Sequence, residues 1–163
     1  MSDVYINSNQ HEKLARFAKW NGGSIFIFGI IGGVVGLLSV SFEGILMGVL
    51  IAGAGWIELQ GKNKLLQGET DAGRWLMGGE GLLLFVILVY AFAHLIPLNP
   101  DHVLDILSPE MRSFLTETGG FPSHMINDLV YTILKWLYQG LIIGTVLYQG
   151  GIIAFYYFKT RDI

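Results

Sequence analysis

Two long apolar runs lie almost end to end between Ser24 and Leu59, and they set the environment in which the chain can fold. The first, SIFIFGIIGGVVGLLSV, is apolar from Ile25 to Val40. The second continues from Phe42 to Leu59, interrupted by Glu43 and Glu58. Each approaches the roughly 20 apolar residues that cross a bilayer as a helix. The short Ser41 to Gly44 stretch separates them, so the pattern is that of a transmembrane hairpin. Two further apolar stretches follow, Trp75 to Leu95 and Trp136 to Phe158. The expectation is an all-α polytopic membrane protein. A single domain, 1–163, holds four spans at about 23–40, 43–60, 75–96 and 134–158, with one long outer loop at 97–123.

Composition agrees with this class. Hydrophobic residues make up 52% of the chain and charged residues 14%, against about 25% charged in an ordinary soluble domain. With no cysteine in 163 residues, disulfides, thiolate metal sites and thiol catalysis are excluded. The few dispersed basic residues do not form a nucleic-acid footprint. Lys13, Arg16 and Lys19 precede the first run as they would precede a signal peptide. The run is too long for a signal core, however, and no small-x-small site follows Val40, so it reads as a retained span.

Outside the spans the signals are local. His11 to Trp20 places Leu14, Phe17 and Ala18 on one side of a short amphipathic helix ending in a tryptophan, as suits the membrane interface. Lys62 and Lys64 precede a turn near Gly68 to Asp71, where Thr70 or Asp71 caps the third span. Pro97 and Pro100 end that span. In the outer loop, Ser108-Pro109-Glu110 is a helix start, giving a short helix from about Pro109 to Thr116. Ser123 caps a final helix from His124 to Phe158, which at 1.5 Å per residue is roughly 50 Å long and exceeds the hydrocarbon core. With both termini in the cytoplasm of a bacterial inner membrane, eight of the ten Lys and Arg residues lie inside: Lys13, Arg16, Lys19, Lys62, Lys64, Arg74, Lys159 and Arg161. That is the bias of the positive-inside rule. Trp20, Trp75, Tyr157 and Lys135 are the expected interfacial anchors.

Glycines recur at helix-packing spacing. Gly29 and Gly33, and Gly32 and Gly36, are four apart in the first span. Gly44, Gly48 and Gly55 continue the pattern in the second, and Gly140 and Gly144 in the fourth. Small residues at this spacing let helix backbones approach closely in lipid. The spacing alone does not decide whether the partner helix belongs to the same chain.

Ionisable residues inside a bilayer are costly and stand as functional candidates. Glu43 can reach the headgroup layer, and Lys135 can snorkel along its stem. Glu58 and Glu80 cannot. Counting about 100° per residue, Glu58 falls about 40° from Gly44, on the small-residue face, and Lys62 stands four residues on in the favourable order for a local pair. Glu80 has no basic residue three or four away. The two glutamates lie eleven residues either side of Glu69, so a hairpin centred there brings both acids to one depth. Two close carboxylates in such a place repel, and one of them is expected to keep its proton at neutral pH unless a cation or the loop residues Lys62 and Arg74 neutralise them.

His94, His102 and His124 match no metal-ligand spacing and read as ordinary surface histidines. Nucleophile-elbow, phosphate-loop and dinucleotide fingerprints are absent, and Gly78-Gly79-Glu80-Gly81 lies within a span. No repeat supports inverted-repeat transporter architecture. Neither a cofactor nor a metal is expected. The leading expectation is a non-enzymatic membrane protein that works by helix association, as a homo-oligomer or as an accessory subunit of a membrane complex. The alternative is an ion or proton pathway built on Glu58 and Glu80.

Overall fold

The structure, a computed structural model, describes residues 2–100, 103, 110, 113, 114 and 122–161; for residues 2–10 and 123 it describes the backbone alone. All regular structure among these residues is helical. In chain order the long helices are α1 (Ser2–Leu38), α2 (Phe42–Leu66), α3 (Ala72–Leu95) and α4 (Ser123–Thr160). Each is long and apolar enough to cross a membrane, over His11–Leu38, Phe42–Leu66, Ala72–Leu95 and His124–Thr160. Large apolar side chains such as Phe28, Val35, Phe85 and Leu147 are exposed, as befits a protein whose solvent is lipid. Of the short outer-loop helix expected from about Pro109 to Thr116, Glu110, Ser113 and Phe114 are described, each in helical conformation, and the rest lies outside the described residues.

The α1–α2 corner is tight. Leu38 ends α1, Val40 takes a positive φ of 52°, and the Ser41 hydroxyl accepts from the Gly44 amide at 3.1 Å. That bond satisfies one of the amides left free at a helix start. Glu43 sits in the first turn of α2, where an acid complements the helix dipole.

The N-terminal segment differs from expectation. No separate amphipathic helix ends at Trp20, because α1 runs unbroken from Ser2 to Leu38. Leu14, Ala15 and Ala18 are buried beside Leu65, Ala72, Leu76, Ile152 and Tyr156. The physical reason lies at Asn21 to Gly23. These residues are weak helix formers, yet Gly22 is pressed against α2, so a break there would open a packed interface. A Cβ at Gly22 would meet Glu58 Cβ at 3.0 Å and the Gly55 carbonyl at 3.1 Å. The Ser24 hydroxyl also donates to the Asn21 carbonyl at 2.8 Å. Trp20 remains exposed.

Two compact units are present, Met1–Ile87 with Thr145–Ile163, and Leu88–Gly144. In the first, glycine lets α1 and α2 touch backbone to backbone. A Cβ at Gly29 would strike Ala52, one at Gly36 would strike Gly44 and Ile45, and one at Gly48 would strike Gly33. Gly55 abuts Phe26 in the same way. Gly61 packs on Leu76 and Gly73 on Thr160, which bring α3 against α2 and α4 against α3. Gly140 and Gly144 behave otherwise: a Cβ at either meets nothing within 4 Å among the described residues. No partner for the expected packing at these two positions is found among the described residues. In the second unit, the His94 ring lies 4.4 Å from Tyr90 and 5.7 Å from Tyr138, centroid to centroid. Lys135 is exposed and places its ammonium 5.6 Å from the centre of the Tyr131 ring.

Candidate functional site

Glu58 and Glu80 are both fully buried in the first unit, and one side chain joins them. Asn21 Nδ2 lies 3.0 Å from each carboxyl oxygen of Glu58 and also donates to Glu80 Oε1 in a short contact. An amide nitrogen carries two hydrogens. One serves the fork of Glu58 and the other serves Glu80. The Tyr156 hydroxyl donates to Glu58 Oε1. Glu80 Oε2 is buried and has no hydrogen-bond partner among the described residues.

Each of the four helices supplies a residue, and the packing explains how they meet. Asn21 stands one residue before Gly22, whose lack of a Cβ lets α1 lie against the Glu58 stem. Gly79 performs the same task from α3: a Cβ there would stand 2.8 Å from the Ala54 carbonyl and 3.1 Å from Glu58 Cβ. Glu80, the next residue, is thereby carried to the α2 surface. Tyr156 is fixed on α4 by Phe17, whose ring meets it edge-on at 6.0 Å, and by burial beside Leu14, Ala18 and Leu76. A smaller face on two helices and a bulky aromatic on a third thus converge on two acids.

Cations stay away. Among the described residues the ion pairs are Arg16 with Glu12, and Lys64 with Glu69 and Asp71; neither Glu58 nor Glu80 takes part. The local pair expected between Glu58 and Lys62 is not formed. Arg74 is exposed and makes no ion pair with the glutamates. The basic charge of the α2–α3 loop is used elsewhere. Lys64 bonds to Asp71 at 3.3 Å and lies 5.6 Å from the Trp75 ring centre, while Trp75 Nε1 donates to Asp71 at 3.2 Å. The hydrogen bond from Lys64 holds the Asp71 carboxyl below the ordinary aspartate range, with the lysine charge and the Trp75 donor adding to it.

Sequence reasoning singled out both acids but not Asn21 or Tyr156. Asn21 directly follows the expected interfacial helix and Tyr156 directly precedes the expected anchor Tyr157, and neither carries the intramembrane charge that marks the acids. A usable signal existed for Tyr156, because Thr145, Gln149, Ile152 and Tyr156 recur on one face of α4 and all four are buried. The expected anchors Trp20, Trp75, Tyr157 and Lys135 are at least partly exposed. Of the histidines, His94 joins the Tyr90 and Tyr138 rings, His124 is exposed, and His102 lies outside the described residues. No cluster of three or more metal-ligating side chains occurs among the described residues.

Chemically, the site is an acceptor-rich box. Four carboxyl oxygens share two amide hydrogens and one hydroxyl hydrogen, in a setting where unmet charge is expensive. Four acceptor oxygens with three donated hydrogens have room for one more positive species, a proton or a small cation. No family model, no curated protein and no solved structure matches the chain.

Proposed function

We propose that this small multi-pass membrane protein is non-enzymatic and handles protons, with Glu58 and Glu80 as a carboxyl pair that gains and releases one proton within the membrane. The observation that carries the reading is the shared Asn21 amide between two fully buried acids, with no cation paired to either among the described residues. A proton between the acids removes half the negative charge and provides the hydrogen that the four oxygens lack. Tyr156 and Asn21 stabilise the carboxylate that remains, since hydrogen bonds to a charged group are the strong ones.

Liposomes holding the purified protein and a pH-sensitive dye test the reading. An imposed pH gradient should collapse faster with the wild type than in empty vesicles, and Glu80→Gln should abolish the difference while the protein stays folded. Equal leak from wild-type, Glu80→Gln and empty vesicles overturns it.

A second reading, helix association as a homo-oligomer or as an accessory subunit, is favoured by Gly140 and Gly144. Both present small surfaces on α4 that no described residue covers. The two readings are compatible, because a proton pathway can be completed by a neighbouring subunit.

A further inference from the structure

Outside the carboxyl pair, another polar side chain in the first unit is buried with an unmet acceptor. Gln149 is 5% exposed and its Oε1 has no hydrogen-bond partner among the described residues. It lies on the same α4 face as Tyr156, two turns away in sequence, and Thr145, 8% exposed, lies one turn further along that face. A glutamine is costly to bury in lipid unless hydrogen-bonded, so the unmet Gln149 acceptor needs a partner.

Register places Gln149 close to the pair. Gly73 of α3 abuts Thr160 of α4, and the helices run antiparallel, so Glu80 stands near the level of Ile153. Gln149 is then about four residues, or about 6 Å, from Glu80 along the axis. Both are buried, so both face the interior of the unit. Leu83 and Val86 of α3 are buried over the same heights and make the surroundings apolar. Two orphan acceptors this close in height call for donors, and water supplies what both oxygens lack. On the other side of the pair, towards the α2–α3 loop, Leu14, Ala18, Leu65, Ala72 and Leu76 form a close apolar cluster.

We infer that a short file of internal water joins Glu80 Oε2 to Gln149 Oε1 and passes Thr145, and that protons reach the carboxyl pair along this file from the end of the unit that carries the α1–α2 turn. The inference rests on the carboxyl pair exchanging protons. Gln149 and Thr145 are positioning residues: they hold water rather than the transferred proton. The apolar cluster closes the opposite side.

Infrared spectroscopy of the full chain in lipid nanodiscs provides the test. On transfer to deuterium oxide, the protonated carboxyl stretch, assigned by its loss in Glu80→Gln, should shift as its proton exchanges. Gln149→Leu removes the water acceptor and should slow that shift about tenfold, the effect of losing one hydrogen bond from the path. Thr145→Val, close in shape, should slow it less. The amide band of the same spectra reports whether each variant is folded, and Thr145→Val decides the matter if Gln149→Leu is not. Unchanged exchange in the folded variants overturns the water file and leaves the carboxyl pair standing. The absence of any exchangeable carboxyl band in the wild type overturns both.

Discussion

Gly22 and Glu58 are in such close register that a Cβ on the glycine would stand 3.0 Å from the glutamate Cβ and 3.1 Å from its Oε2. Gly22→Ala must therefore push α1 off α2 or turn the Glu58 carboxyl away from Asn21. Overpacking of this kind costs about 1–3 kcal/mol. The next residue provides the control, because a Cβ at Gly23 meets nothing within 4 Å among the described residues. Gly23→Ala should be neutral or stabilising by up to about 1 kcal/mol through helix propensity. Thermal unfolding in detergent separates the two, and equal melting temperatures for both variants would contradict the register.

Gly48 and Gly144 should part company in the same way. A Cβ at Gly48 would collide with the backbone of Gly33, whereas one at Gly144 meets nothing within 4 Å among the described residues. Gly48→Leu is expected to prevent the α1–α2 pair from forming, with loss of folded protein in detergent. Gly144→Leu should leave the melting temperature of the single chain unchanged. If α4 associates with another subunit, Gly144→Leu should lower the oligomeric mass measured by light scattering. A variant that changes neither quantity removes Gly144 from any interface.

Much of this arrangement is legible in the sequence. The apolar runs gave four spans, because lipid demands length and hydrophobicity that composition displays directly. The equal spacing of Glu58 and Glu80 about Glu69 located the acids at one depth, because antiparallel helices convert sequence distance into height. What the sequence concealed was sideways choice. Asn21 lies in a Trp-Asn-Gly-Gly stretch that propensity marks as a boundary, and tertiary packing on Gly22 overrode that preference. Lys62 stands at the right spacing to pair with Glu58, yet the structure joins Lys64 to Asp71 instead. Periodicity could not choose between these lysines, since both sit at the loop end of one helix.

The loop clamp has a definite pH response. Lys64 holds the Asp71 carboxyl below its ordinary range, so folding binds fewer protons there than unfolding. Its contribution is thus present above the ordinary aspartate pKa and is lost as the pH falls through the lowered value. Residues around Gly68 and Glu69 should show faster amide exchange under acid than at neutral pH. Asp71→Asn should display the faster exchange at every pH and lose the acid step. A wild-type loop that is equally protected across the acid range would show that the clamp contributes nothing.

The clearest test of the carboxyl pair is an exchange of its groups. Asn21→Asp replaces the shared donor with a third acid, so Glu58 and Glu80 lose the amide hydrogens they now divide. Each buried acceptor left unmet costs about 1–3 kcal/mol, and a further like charge adds to that. Asn21→Asp should therefore reduce the yield of folded protein sharply and lower its melting temperature. Combining it with Glu80→Gln restores the wild-type inventory of one amide and two acids, with the amide now on α3. The double variant should regain most of the lost stability, because residues sharing one hydrogen-bond network are not additive. Melting curves of the wild type, both single variants and the double variant measure the coupling. If Asn21→Asp melts like the wild type, or if Glu80→Gln adds its own loss to it, the three side chains do not form one network.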